Sequence, residues 1–153
     1  DAVVTGHPGA ALAILTADCA PIALAGDNGT MAAVHAGWRG LTVGVVGAAV
    51  ATMRDLGAGD VIAALGPCIH AGCYEFSAAD LDQVATVLGD DVRGRTAQGR
   101  PALDVPAAVR SALARAGAVL VHDENVCTAC SSSYFSHRAR GEKERQALVV
   151  WRA

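Results

Sequence analysis

Aromatic residues are only 4% of this 153-residue chain, and charged residues only 18%. So few aromatics argue against a platform on which the bases of a nucleic-acid strand stack. A net charge of −3 with no basic run argues against a general electrostatic footprint for nucleic acid. Gly, Asp or Thr breaks each apolar run well before the ~18 residues that a membrane span needs. No repeat, heptad or low-complexity tract is present, and no signal peptide is visible.

Apolar residues make up 52% of the chain, and its length suits one domain around a single hydrophobic core. The cysteines (Cys19, Cys68, Cys73, Cys127 and Cys130) are odd in number and dispersed, unlike the dense sets of disulfide scaffolds. A reducing, cytoplasmic setting is expected.

Apolar runs at 11–16 and 21–25 read as strands. The turn residues Gly26-Asp27-Asn28-Gly29 and the run 31–35 make a hairpin whose loop exceeds the two-residue minimum. Residues 41–56, free of proline and stopped by Gly57, read as one helix, apolar nearly all round and so largely buried. Residues 61–65 read as a strand. Ser77, with Asp80 three residues on, caps a helix ending near Gly89. Residues 90–99 read as an exposed loop. Asp104 caps another helix, with Pro106 in its first turn and an end near Gly117. Residues 119–121 and 147–151 read as strands. The fold class is α/β or α+β, and the hairpin favours a mixed sheet over a parallel one.

The chemistry concentrates in Thr16-Ala17-Asp18-Cys19 and, across the hairpin, His35-Ala36-Gly37-Trp38-Arg39-Gly40. A thiolate and an imidazole at the ends of two strands make a metal site or a nucleophile with its base. Cys with His is ligand chemistry of zinc; a metal-free cysteine hydrolase would use Cys19 as nucleophile and His35 as base. The bland alternative is a structural Cys beside a core His. Asp18 alternates away from Cys19 along a strand, so it is expected to orient His35 or touch substrate rather than ligate. Its bland role is a turn residue before Pro21. Arg39 and Arg138 suit anion binding, a role that Arg39 would share with the start of the 41–56 helix; their bland role is surface ion pairing. Cys127-x-x-Cys130 admits a structural zinc half-site with Cys68 and Cys73, or a redox pair. The spacing and surroundings suit neither, so these cysteines are read as buried pocket wall, with Cys73 nearest the site.

Four segments in order resemble signatures of the laccase-domain family, also called multicopper polyphenol oxidase-like proteins. They are Thr16 to Pro21, His35 to Gly40, Gly66-Pro67-Cys68-Ile69 with Cys73-Tyr74-Glu75, and Cys127 to Cys130 with Phe135-Ser136-His137-Arg138. The resemblance implies a mixed-sheet α/β sandwich, a single laccase-like domain over 1–153 that corresponds to the C-terminal two thirds of the family's usual chain. It implies zinc as cofactor, with Cys19 and His35 as two of three protein ligands and a third, a His, on a segment upstream. Copper is not expected, because the five His are isolated and multicopper sites need many, often closely paired. The implied activity is phosphorolysis of adenosine, inosine, guanosine or methylthioadenosine to a base and ribose 1-phosphate, with deamination of adenosine. Asp18 and Arg39 are expected to be catalytic, and Arg138, Cys73 and His137 to bind substrate. The expected partners are a small purine nucleoside and phosphate, without nucleic acid or membrane. A third reading is a fragment or partner subunit that keeps the fold and lacks a complete site.

Overall fold

The computed structural model describes residues 1–152. In chain order the strands are β1 (Ala2–Thr5), β2 (Ala11–Thr16), β3 (Ala20–Gly26), β4 (Met31–Ala36), β5 (Val61–Leu65), β6 (Arg93–Arg95), β7 (Pro101–Leu103), β8 (Val119–Asp123) and β9 (Gln146–Trp151). The α-helices are α1 (Trp38–Thr42), α2 (Val45–Asp55), α3 (Ala78–Leu88), α4 (Val105–Ala116) and α5 (His137–Arg140).

One five-stranded sheet has the order β1-β4-β3-β5-β8. Every pair in it is antiparallel except β5 with β8, so the sheet is mixed, as the hairpin implied. β2 and β9 form a separate antiparallel ribbon. Asp18, with φ +82°, turns the chain out of that ribbon and into β3.

The helices cover one face of the sheet, where Ile22, Leu24, Val34 and Leu65 meet Val46, Val50, Met53, Val109 and Leu113 in the main core. On the other face Met31 and Ala33 pack with Leu12 beneath the ribbon. Burial on both faces explains why β4 is apolar almost throughout rather than alternating. No helix among the described residues is long and apolar enough to cross a membrane.

Two expectations are corrected. Residues 41–56 are not one helix: Gly44, at φ +84°, separates α1 from α2. α2 buries only Val46, Ala49, Val50 and Met53, which is one face, and exposes much of the rest. Residues 90–99 are not simply a loop, since a 3₁₀ turn at Asp90–Val92 leads into β6, which pairs with β7. The caps behave as their side chains dictate. Ser77 accepts the Asp80 N–H at 3.1 Å, and Asp104 accepts the Ala107 N–H at 2.8 Å. Gly117, at φ +69°, ends α4.

Candidate functional site

The β3–β4 register sets Pro21 opposite His35. Alternation then places His35 with Met31 and Ala33 on the ribbon side of the sheet. The Cys19 sulfur lies against the backbone just beyond β4, where a Cβ on Gly37 would stand 3.2 Å from it. Cys19 and His35 line one cleft of about 240 Å³ together with Trp38 and Arg39. Beside it is a smaller recess where Asp18, Ile69 and Tyr74 join Cys19 and Trp38. The hairpin therefore brings the expected thiol, imidazole and Arg39 to one place.

Burial first, and then the charge of Asp18, push the Cys19 thiol above the usual range. Burial holds His35 below its usual range and favours the neutral ring. A neutral imidazole can ligate a metal or accept a hydrogen bond. A protonated thiol is a poor nucleophile until a metal or base removes its proton.

A row of cations and aromatic rings forms the wall. Arg39 lies over Trp38, 4.4 Å from the ring centroid. Trp38 meets Phe76 edge-on at 5.3 Å, and Tyr74 lies 5.3 Å from Phe76. Arg138 lies over Tyr74 at 4.6 Å. Trp38 and Tyr74 were missed as site residues in the sequence. The available signal was their position inside motifs, each beside a residue already singled out.

Asp18 is buried, and its oxygens accept from the Thr128 hydroxyl at 2.6 Å and the Arg138 N–H at 2.7 Å. It fastens the 127–138 segment to the start of β3. Arg138 also donates to the Glu75 carbonyl at 3.2 Å, so its guanidinium braces the recess. The exposed His137 lies with Nδ1 3.3 Å from the Glu142 carbonyl and does not line the cleft. α1 has only five residues, so Arg39 is not at the head of a long helix, and the anion-binding argument rests on its guanidinium.

The cysteines differ from the expected buried wall. Cys68 is buried, but Cys73 and Cys127 are only partly so and Cys130 is exposed. The sulfurs of Cys73, Cys127 and Cys130 all lie within 4.8 Å of one another, a group able to hold a metal ion. It is the three-donor group among the described residues, and it does not include Cys19 or His35.

A family model described as multi-copper polyphenol oxidoreductase laccase matches residues 1–153. The chain is 45% identical to a purine nucleoside phosphorylase of Streptomyces coelicolor, over 99% of this chain and 63% of the relative. It is 41% identical to one of Streptomyces griseus, over 99% and 62%. A crystal structure of a Neisseria meningitidis protein superposes with a TM-score of 0.87 at 31% identity, covering 99% of this chain and 64% of that one. The chain thus spans about three fifths of the length of the curated relatives it matches.

The family match overturns the expectation of zinc to the exclusion of copper. Counting histidines was the wrong test, because thiolate and imidazole donors accept copper as well as zinc. The softness of the donors fits a transition-metal ion, while Cys19 and His35 alone supply two ligands. The whole-length family match, the order of the four motifs and the shared fold lead to one conclusion: the chain belongs to the multi-copper polyphenol oxidoreductase laccase family.

Proposed function

We propose that the Cys19–His35–Arg39 cleft, carried by a single domain over 1–153, binds purine nucleoside and phosphate for phosphorolysis. The observation that carries this reading is the convergence of Cys19, His35, Trp38 and Arg39 on one cleft. It is supported by 45% identity to a purine nucleoside phosphorylase. Trp38 carries the Arg39 guanidinium over its ring, a stack that a purine would extend or displace, and the Arg39 fork suits phosphate oxygens. In phosphorolysis a phosphate oxygen bonds to the ribose anomeric carbon as the bond to the base nitrogen breaks. The leaving nitrogen gains a proton. Arg39 would hold the phosphate, and the half-buried walls would limit water as a competing nucleophile. A metal held by Cys19 and His35 would supply Lewis-acid polarisation of a bound oxygen. Adenosine deamination is the accompanying activity proposed for the same cleft.

Turnover is tested in a protein of the relatives' full length that contains this chain. Phosphate-dependent formation of ribose 1-phosphate from inosine or adenosine is expected, with loss in Cys19→Ser and His35→Ala. Activity that persists in both folded variants would contradict the assignment.

Two other readings have observations behind them. For the chain by itself, the donor count favours a domain that keeps the fold and holds only part of a metal site. A metal-free cysteine hydrolase is favoured by the shared cleft of Cys19 and His35. It is disfavoured by the raised Cys19 thiol. Thiol-dependent, chelator-insensitive turnover would select the hydrolase.

A further inference from the structure

We propose that Cys73, Cys127 and Cys130 form a three-thiolate site for Cu(I), which staples the 3₁₀ turn at Ala71–Cys73 to the Cys127–Cys130 turn. This site is separate from Cys19 and His35.

The geometry is close to what a metal requires. Three sulfurs bound in a plane at about 2.3 Å from one ion stand about 4 Å apart. Here all three lie within 4.8 Å of one another, and Cys73 and Cys130 are 3.3 Å apart. Small side-chain adjustments convert the cluster into a coordination triangle. Cys127 is already oriented: its sulfur accepts the His70 N–H at 3.4 Å. Such a donor steadies a thiolate while leaving lone pairs for a metal. Exposure of Cys130 gives the ion a way in.

The donor number selects the metal. Soft thiolates suit Cu(I) and zinc, but structural zinc takes four ligands, whereas Cu(I) is satisfied by three. No fourth His, Cys, Asp or Glu joins the group among the described residues. Loading displaces the remaining thiol protons to solvent and leaves copper in its reduced state, so no oxidant is consumed. The Arg140 guanidinium, paired with Glu142, donates to the Thr128 and Ala129 carbonyls and so braces the turn that carries Cys127 and Cys130.

The test is anaerobic titration of this chain with Cu(I) against a competing chelator, followed by alkylation and mass mapping. One equivalent should protect Cys73, Cys127 and Cys130 together and raise Tm. Cys130→Ser, at an exposed position, should lower the affinity at least tenfold, whereas Cys19→Ser should leave it unchanged. Equal Cu(I) affinity in Cys130→Ser and the unaltered chain would overturn the proposal, as would protection of Cys19 or Cys68 instead. Zn(II) that protects the three thiols in preference to Cu(I) would also overturn it. The alkylation pattern of the unaltered chain decides the matter if a variant fails to fold.

Discussion

The Asp18 carboxylate meets the Thr128 hydroxyl at 2.6 Å across a sequence separation of 110 residues. Its other oxygen takes the Arg138 N–H. The start of β3 and the segment that braces the recess are therefore one unit, and stability and site geometry are coupled through a single carboxylate.

Asp18→Ala should destabilise the fold by about 1–3 kcal/mol, because it strands buried donors and keeps a positive φ that alanine resists. Asp18→Asn should cost less, since asparagine tolerates that conformation. Urea denaturation with hydrogen exchange over 127–138 reads both. Unchanged exchange in Asp18→Ala would contradict the coupling.

Gly37→Ala tests the seat of Cys19. The backbone at Gly37, φ −76° and ψ 163°, admits alanine, so only the 3.2 Å approach to the sulfur is disturbed. Stability should change by less than about 0.5 kcal/mol. Turnover in a full-length protein should fall by roughly tenfold as the sulfur is displaced. A large stability loss with normal turnover would show that Gly37 serves the fold instead.

Arg39→Ala should raise the phosphate KM of phosphorolysis by about tenfold or more, with a smaller effect on kcat and on adenosine deamination. Arg138→Ala should instead weaken folding, since Arg138 is tied to Glu75 and Tyr74. Steady-state kinetics and denaturation on both variants separate the roles. The opposite assignment of effects would contradict them.

Asp27 supplies a pH dependence outside the site. The Gly59 N–H donates to it at 2.9 Å. That bond, with the Asp60 N–H next, holds its carboxyl below the usual range. Because the folded value is the lower one, the stabilisation is present above the unfolded value of about 3.9. It is lost as pH falls through the folded value. Asp27→Asn should flatten the acid limb of a stability profile. Parallel limbs for the two proteins would contradict the assignment.

The hairpin was legible in the sequence because its turn chemistry is local, and it carried Cys19 and His35 with it. The caps at Ser77 and Asp104 were legible for the same reason. The β6–β7 ribbon was not, since Arg93-Gly94-Arg95 is polar and its strands have three residues each. The break at Gly44 was hidden because glycine inside an apolar run can equally continue a helix. The thiol cluster depends on backbone pairing that sets residue 127 beside residue 68, a long-range contact that spacing does not encode. Asp18 followed the same pattern: its type and position were visible, but its partners at Thr128 and Arg138 were not.

Equilibrium binding of inosine to this chain tests the central claim most directly. The readout is Trp38 fluorescence in a Trp151→Phe background, with and without phosphate. Inosine should quench Trp38, phosphate should tighten the binding, and Arg39→Ala should abolish the effect of phosphate while Trp38 remains quenched. No quenching at millimolar inosine, or quenching indifferent to substitution of both His35 and Arg39, would contradict the assignment of this cleft to purine nucleoside and phosphate.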